Sequence, residues 1–386
     1  MIPDERSTSP KRSRIGRTVV VCAALVLSML GSRDIGAQTL LATPEPPPPP
    51  AGWVGLIGEY GSENHLLISE RDGSLYAIVE WLTPYPMHEL SANVFEWPHA
   101  GLYDGERVSF TRDGSGRATQ LAIGGVVFPH REVGPESGNQ LRITPVRPVE
   151  QLRSIALAAP PPIEKPTARA ADLVELTKLD STIKLEIRYA TTNNFLGSRV
   201  YTQARAFMQR PAAEALVRVS SELRKRGYGV LVHDAYRPWY VTKIFWDATP
   251  AEKKWLVANP ANGSKHNRGC AVDLTLYDLK TGHAVDMVST YDESTERAYA
   301  DYPGGTSLER WHRALLRSAM ESEGFAANPQ EWWHFDYKDW RDYPILNIPF
   351  EQITSNNVSL SLDPNATTTI VGQALGEIAA AAYEGP

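Results

Sequence analysis

The polar and apolar positions of the chain divide it into a strand-rich part and a part in which helices and strands mix. Short β-prone runs recur at 66–68, 75–79 and 108–110. Turn-forming pairs stand near them, at Asp72-Gly73, Asp104-Gly105 and Asp113-Gly114. Regularly spaced short strands with such turns are typical of a small all-β domain. We therefore predict an all-β accessory domain over residues 52–153.

The sequences GEYG at 58–61 and FTRDG at 110–114 resemble the lipocalin-like β-module of some secreted serine hydrolases. The resemblance implies a lipocalin-like fold, with a sandwich as the alternative. We expect this module to position or bind other groups rather than to catalyse. Its histidines lack the spacing of a metal site and are predicted to lie at the surface or in packing contacts: His65, His88, His99 and His130.

Later in the chain the apolar pattern becomes helical. Residues 211–225 show the apolar spacing of one helix face, and Gly227 suits the helix exit. The run 229–233 predicts a buried strand, and residues 308–323 predict a second amphipathic helix that ends before Gly324. Because these elements follow no regular βαβ rhythm, we predict an α+β domain.

Two proline-rich stretches, at 46–50 and 158–171, separate these parts. They favour stiff, extended spacers. The predicted organisation is a signal peptide (1–37), a Pro-rich linker (38–51), the all-β accessory domain (52–153), a Pro/Ala-rich linker (154–170), the α+β domain (171–350) and a C-terminal tail (351–386) that is disordered or forms one short helix.

The first residues have the features of an export signal. Basic residues precede an apolar run at 18–30, and small residues follow at 35–37. The run is short for a bilayer span, so we predict cleavage and export to the periplasm or cell envelope, with an uncleaved anchor as the alternative. Cys22 leaves with the signal. Cys270 then has no disulfide partner within the chain, and we predict a small buried thiol.

The composition and net charge of the chain argue against nucleic-acid binding as its function. The chain has 386 residues, of which 42% are hydrophobic and 22% charged, as in an ordinary soluble protein. Its formal net charge is −6, and no basic stripe appears beyond the N-terminus. Because nucleic-acid binding needs a concentrated basic face, we expect no nucleic-acid partner. The oligomeric state stays open.

The sequence SKHNRGCAVD at 264–273 is the first candidate site. His266 stands in a loop, and residues 271–276 alternate as a strand does, with Asp273 facing away from the apolar side. A loop imidazole and a strand carboxylate that converge suit zinc. The alternative is that Asp273 caps a turn or pairs with Arg268.

The sequence EWWHFDY at 331–337 is the second candidate site. Its aromatic residues predict a strand that begins near Trp332. His334 is a candidate third zinc ligand, since zinc enzymes commonly use three protein ligands and leave a fourth position for water. Residues three apart face opposite sides of a regular strand, so Glu331 must lie on the turn that precedes it. Alternatively, His334 packs among aromatic residues and Glu331 is a surface charge.

The sequence HDAYRPW at 233–239 is the third. A polar cluster directly after a buried strand is a typical place for site residues. Arg237 can stabilise a developing oxyanion beside a metal. The alternative is that Arg237 pairs with Asp234 and holds the loop.

Together the three motifs resemble the zinc D-Ala-D-Ala dipeptidases of the vancomycin-resistance type. The resemblance takes in YATTNNF at 189–195 and DYPGG at 301–305 and covers residues 172–345. It implies one Zn²⁺ per chain, held by His266, Asp273 and His334. It also implies that Glu331 is the general base and that Arg237 assists the transition state.

A zwitterionic dipeptide also needs an anion for its ammonium group and a donor for its carboxylate. Asp292 is our candidate for the first role and Ser264 for the second. A turn hydrogen bond is the alternative role of the Ser264 hydroxyl.

Members of that family are usually compact single-domain proteins, so the export signal and the β-module leave the natural substrate open. The leading hypothesis is hydrolysis of free D-Ala-D-Ala. The first alternative is a zinc D,D-carboxypeptidase or endopeptidase that acts on peptidoglycan fragments. The second is a cell-wall binding protein with structural zinc. Glu331 argues against it, because a structural site needs no spare carboxylate.

Overall fold

The computed structural model describes residues 43–62, 66–134 and 141–353. The predicted signal peptide, His65 and the predicted tail beyond residue 353 lie outside these ranges. Within them, no helix is both long enough and apolar enough to cross a lipid bilayer.

The N-terminal part is a single antiparallel sheet, which confirms the prediction of an all-β module. Its elements are α1 (Ala51–Val54), β1 (Gly58–Tyr60), β2 (Leu66–Arg71), β3 (Ser74–Val79), β4 (Thr83–Pro86), β5 (His88–Ser91), β6 (Val94–Glu96), β7 (Arg107–Arg112), β8 (Ala118–Ile123) and β9 (Val126–Arg131). The strand order is β4-β3-β2-β1-β9-β8-β7-β6-β5. The edge strands β4 and β5 are separated by Met87 alone, so the sheet curls until its two edges are neighbours.

Local turn chemistry explains the hairpin between β2 and β3. Asp72 and Gly73 have φ values of 49° and 75°. A two-residue hairpin turn of type I′ needs positive φ at both positions, which asparagine, aspartate and glycine tolerate best. The curled sheet then encloses a core of its own, in which Leu56, Tyr60 and Trp97 are fully buried.

A helix lies where we expected the β-module to end. α2 (Val149–Ala158) spans the predicted boundary at Arg153, and the predicted linker over residues 154–170 begins inside it. Val149, Leu152 and Ala156 form one apolar face, and they join the core of the α+β domain. The helix therefore packs with the second domain, and its spacing of three and four residues was the signal for it.

The second domain consists of β10 (Leu173–Glu175), α3 (Leu176–Leu179), β11 (Lys184–Leu185), β12 (Phe207–Gln209), α4 (Arg210–Arg224), β13 (Tyr228–Asp234), α5 (Trp239–Ala248), β14 (Ala271–Asp278), α6 (Ser307–Ser322), β15 (Phe325–Asn328) and β16 (Glu331–Tyr337). Five strands form a sheet in the order β11-β13-β14-β16-β15. β11 and β13 pair in parallel and the other neighbours pair antiparallel. The helices α4 and α6 contact each other and the sheet.

Both helices that the apolar pattern predicts are present, with bounds shifted by one residue. Gly227 and Gly324 follow α4 and α6 with φ of 87° each, a left-handed conformation that favours glycine. A capping box stands at the start of α6. The Thr306 hydroxyl accepts from the Glu309 backbone N–H, and the Glu309 carboxylate accepts from the Thr306 backbone N–H. These ends fix the helices that support the sheet.

The register of the central strands gathers polar side chains at one place. Asp273 on β14 lies opposite His334 on β16 and opposite Asp234 on β13. An irregularity in β13 between Val232 and Asp234 makes the second pairing possible. Residues that are about 40 to 60 positions apart in the chain thus become neighbours.

Candidate active site

The candidate metal ligands come from a turn and two neighbouring strands. His266 begins a single 3₁₀ turn, His266–Arg268, which ends at Gly269 with φ of 67°. The positive φ favours glycine, and a Cβ at position 269 would also lie 2.6 Å from the end of the Leu173 side chain, which would have to move. This turn places His266 beside the pair that Asp273 and His334 form across β14 and β16.

Three ligand atoms face one another at the spacing that zinc needs. His334 Nδ1 lies 2.9 Å from Asp273 Oδ1. His266 Nε2 lies 3.2 Å from His334 Nδ1 and 3.4 Å from Asp273 Oδ1. Ligand atoms bound to tetrahedral zinc at about 2.0–2.1 Å are about 3.3 Å apart. Within the described ranges, this is the one set of three or more His, Cys, Asp or Glu residues that could hold an ion.

Each of the two imidazoles has one inner nitrogen, which faces the other ligand atoms, and one outer nitrogen. The hydrogen-bond partner of the outer nitrogen fixes the orientation of the ring. His266 Nδ1 lies 2.7 Å from the Ala235 carbonyl oxygen, and His334 Nε2 lies 3.1 Å from Asp336 Oδ1. These oxygens accept, so each outer nitrogen carries a hydrogen, and the inner nitrogen is the one whose lone pair would bind a metal ion once its own proton has left. Lys265 Nζ, 2.5 Å from Asp336 Oδ2, holds that carboxylate. Metal-binding histidines usually have such outer partners.

The surroundings of these residues favour positive charge. Burial alone would lower the pKa of His334, but its hydrogen bonds to Asp273 and Asp336 raise that pKa to about 10. Burial alone would raise the pKa of Asp273, but His266 and His334 hold it far below its usual value. Tyr291 donates to Asp273 Oδ2 at 3.0 Å and fixes the carboxylate. A divalent cation suits a place with this charge.

Glu331 lies on the same side of β16 as His334, despite their separation of three residues. It is the first residue of the strand rather than part of the preceding turn, one position from our expectation. The pairing with β15 is irregular at Asn328, which turns Glu331 toward His334. Its Oε2 lies 3.7 Å from His334 Nδ1 and accepts from Asn328 Nδ2 at 3.1 Å. With 41% of its side chain exposed, the carboxylate can reach water.

Arg237 pairs with Asp234 and also lines the cavity. Pairing with Asp234 is therefore compatible with a place beside the candidate metal ligands. Its Nε and Nη2 donate to Asp234 Oδ2 at 3.0 and 2.7 Å. The guanidinium lies over the Phe245 ring, 4.9 Å from its centroid. Tyr201 donates to the other oxygen of Asp234 at 2.6 Å. The guanidinium is thereby held in one orientation, in which its Nε and Nη2 point to Asp234.

Asp292 and Ser264 line the same cavity as the metal residues. Asp292 has a left-handed backbone, with φ of 60°, and its carboxylate accepts from the Tyr189 hydroxyl at 3.2 Å. Burial and the charges of Asp273 and Glu331 raise the pKa of Asp292 to about 8. Ser264 Oγ is buried and has no hydrogen-bond partner among the described residues. The turn there uses the Ser264 backbone, whose N–H donates to Asn267 Oδ1 at 2.7 Å.

The cavity that contains these residues has a volume of about 720 Å³. Its walls include Phe195, Phe245 and Trp333, and Trp255 lies at the rim with 73% of its surface exposed. Ligand sites are typically concave, with polar groups that converge between apolar and aromatic walls. The arrangement suits attack on a small polar molecule beside a metal ion.

The remaining predicted side chains lie away from this cavity. In the β-module, His88 is exposed, His99 pairs with Asp104 at 3.5 Å, and His130 packs on the Tyr60 ring. Cys270 is a buried free thiol, and burial raises its pKa.

Three residues of the site had no assigned role in the sequence reasoning. Asp336 stands two residues after His334, so the strand period alone would have placed both on one side. Lys265 precedes His266 directly. Tyr291 offered no local signal, because its contact with Asp273 depends on the path of a loop between β14 and α6.

Comparison with known proteins agrees with this geometry. A family model described as D-ala-D-ala dipeptidase matches residues 169–353. A D-alanyl-D-alanine dipeptidase of Escherichia coli (strain K12) is 34% identical over 179 residues, which are 46% of this chain and 91% of that protein. One from Enterococcus faecium is 34% identical over 187 residues, covering 44% of this chain and 91% of the relative. One from Streptomyces coelicolor is 30% identical over 198 residues, covering 45% and 98%.

The matched region contains every residue of the cavity described above except Leu141, and it begins after the β-module. The E. coli relative is matched over nearly its whole length by the second domain of this chain. Through that domain, the chain belongs to the D-alanyl-D-alanine dipeptidase family of metallopeptidases.

Proposed function

We propose that the chain hydrolyses D-Ala-D-Ala to two molecules of D-alanine, with one zinc ion held by His266, Asp273 and His334. The observation that carries this proposal is the convergence of two imidazole nitrogens and one carboxylate oxygen within 3.4 Å of one another. The names of the relatives supply the substrate. When bound, zinc polarises a carbonyl group and lowers the pKa of a bound water from 15.7 to about 7.

Glu331 is the general base in this proposal. Its carboxylate lies 3.7 Å from His334 Nδ1 and is partly open to the cavity, so it can contact a water beside the metal ligands. It accepts a proton as the water oxygen attacks the scissile carbonyl carbon. It then returns that proton to the leaving amine as the C–N bond breaks. One water is consumed for each peptide bond.

Arg237 stabilises the negative charge that develops on the scissile carbonyl oxygen. Asp234 fixes two of its nitrogens, so the guanidinium is oriented before the reaction begins. Preorganised donors of this kind typically contribute about 10²–10³ in rate. Asp234 therefore acts as a positioning residue for Arg237.

Asp292 and Ser264 bind the two ends of the dipeptide. The Asp292 carboxylate faces the cavity and pairs with the substrate ammonium group. The unpartnered Ser264 Oγ donates to the substrate carboxylate, which satisfies an otherwise unpaired buried hydroxyl. Pairing with the ammonium group also favours the charged form of Asp292, whose pKa is otherwise raised to about 8.

Asp292→Asn is expected to raise KM for D-Ala-D-Ala by about 10–10², since a hydrogen bond to a charged group contributes about 1.5–3 kcal/mol. It is also expected to stabilise metal-free protein. Because the folded pKa is raised, the folded state holds an extra proton between about pH 4 and 8, and stability falls as pH rises through that window.

The gain in the midpoint of thermal unfolding for Asp292→Asn over wild type should therefore be larger at pH 8 than at pH 4. Kinetics and thermal scans of the two proteins check both effects. An unchanged KM would remove Asp292 from the ammonium site.

A substrate panel separates the dipeptidase from the alternatives. Purified protein is offered free D-Ala-D-Ala and a muropeptide with a pentapeptide stem, and released D-alanine is measured. We expect release from the dipeptide. Release from the muropeptide alone would favour the D,D-carboxypeptidase or endopeptidase, and zinc binding without any hydrolysis would favour a cell-wall binding protein.

Export to the periplasm or cell envelope is a further part of the proposal, and it is supported by the basic and apolar pattern of residues 11–37. An exported enzyme would meet dipeptide or wall fragments outside the cytoplasm. Fractionation of cells that produce the full chain tests this point. Cleaved protein in the envelope fraction supports export, and uncleaved protein in the cytosol contradicts it.

A further inference from the structure

The β-module contacts the second domain at the segment that leads from the cavity to helix α6, residues 289–307. The Glu70 backbone N–H donates to the Gly305 carbonyl at 3.2 Å, and Ser69 Oγ donates to the same carbonyl at 2.9 Å. The Ser307 N–H donates to Glu70 Oε2 at 2.7 Å. Glu70 thus supplies an acceptor and a negative charge at the N-terminus of α6.

A second contact lies in the middle of this segment. Tyr302 donates to Glu59 Oε1 at 2.9 Å, in a buried hydrogen bond between the two domains. The Tyr302 ring also packs edge-on against Trp81 of the module, with 5.2 Å between ring centroids. Both Tyr302 and Glu59 are almost fully buried.

The third contact between the domains involves Glu293, a residue that lines the cavity. Arg297 Nη1 donates to the Val133 carbonyl at 3.4 Å. Gly134 packs so closely on Glu293 that an added Cβ would lie 2.6 Å from its carboxylate. Glu293 is buried, lines the cavity and accepts from Thr290 N and Thr295 Oγ1 at 3.2 and 2.5 Å.

Glu293 therefore closes the loop that contains Tyr291 and Asp292. Tyr291 holds Asp273, and Asp292 has a left-handed φ of 60°, a conformation that costs an aspartate free energy and persists only where its surroundings hold it. The module packs against this loop through the contact between Gly134 and Glu293. Arg142 Nη1 also donates to the Asn194 carbonyl at 2.7 Å, next to Phe195 of the cavity.

We propose that the β-module is a positioning element of the catalytic cavity, which fixes residues 289–307 and thereby sets the affinity for the substrate ammonium group. The positioning residues are Glu59 of the module and, in the second domain, Glu293 and Tyr302. The proposal rests on the proposed function of Asp292. It also gives a role to a module that lies outside the region matched by the family model, which begins at residue 169.

Gly134→Ala tests this proposal with a matched control. Its methyl group would displace the Glu293 carboxylate, whereas Gly125→Ala adds a methyl at another positive φ, 82°, with nothing within 4 Å. We expect Gly134→Ala to raise KM for D-Ala-D-Ala about tenfold with kcat changed by less than about twofold, because a small misplacement weakens substrate binding. Gly125→Ala is expected to keep the wild-type KM.

Tyr302→Phe is the second variant, because it removes only the hydroxyl that donates to Glu59. Tyr60→Phe is its control, since that hydroxyl donates to the Leu56 carbonyl within the module. Tyr302→Phe should raise KM several-fold, in the same sense as Gly134→Ala. A merely structural contact would lower the unfolding temperature of either variant and leave KM unchanged, and that result overturns the proposal.

Hydrogen–deuterium exchange gives a readout that needs no activity. Exchange of residues 289–307 should be faster in Gly134→Ala than in wild type and unchanged in Gly125→Ala. Equal exchange in all three proteins also overturns the proposal. Wild-type protein that fails to hydrolyse D-Ala-D-Ala contradicts the proposed function instead, and exchange still decides whether the module fixes the loop.

Discussion

Glu331→Gln is expected to lower kcat for D-Ala-D-Ala hydrolysis by about 10²–10⁴, the usual contribution of a positioned acid–base group. The amide cannot take a proton from water, yet it has nearly the same size and keeps an oxygen for the Asn328 amide. KM should change little, because a general base acts mainly in the transition state. Steady-state kinetics of the two proteins, each with its zinc content measured, check this expectation.

Glu296→Gln is the matched control for that variant. Glu296 is an exposed carboxylate that lines the same cavity, and we assign it no role in proton transfer. It should keep the wild-type kcat. Equal activity of Glu331→Gln and wild type would show that another group takes the proton.

His266→Ala is expected to abolish zinc binding at micromolar zinc and to lower kcat by at least about 10⁴, since the water then keeps a pKa near 15.7. His266 Nε2 faces both other ligand atoms, so its loss leaves Asp273 and His334 without the third ligand. Zinc per chain and D-alanine release are measured on the same samples.

A buried histidine also supports the fold, so a control must separate that role from metal binding. His312→Ala removes another buried histidine, one that packs against Trp311, hydrogen-bonds Tyr228 and is not among the residues that line the cavity. It should keep one zinc ion per chain where it folds. Full activity of folded His266→Ala would show that this residue is not a ligand.

Much of the fold followed from patterns that act locally. The apolar spacing of α4 and α6 predicts both helices to within one residue, because each buries one face. The hairpin at Asp72-Gly73 follows from residues that tolerate positive φ. α2 was missed because its proline-rich flanks suggested a linker, although Val149, Leu152 and Ala156 form an apolar stripe.

The site was predictable where strand geometry determines it and unpredictable where a loop path does. Asp273 and His334 each face one side of a strand, and their pairing needs only the correct register. The position of Glu331 depends on the irregular pairing at Asn328, which the sequence suggested only through Pro329. The contacts of Glu70, Tyr302 and Gly134 between the domains have no local pattern, because they join residues more than 150 positions apart.

Hydrolysis of D-Ala-D-Ala is expected to require zinc held by His266, Asp273 and His334. The most direct test is a titration of metal-free wild-type protein with zinc, in which bound zinc and D-alanine release are measured at each step. We predict that activity rises in proportion to bound zinc and reaches its maximum at one ion per chain. Full hydrolysis by protein that holds no metal would contradict the account.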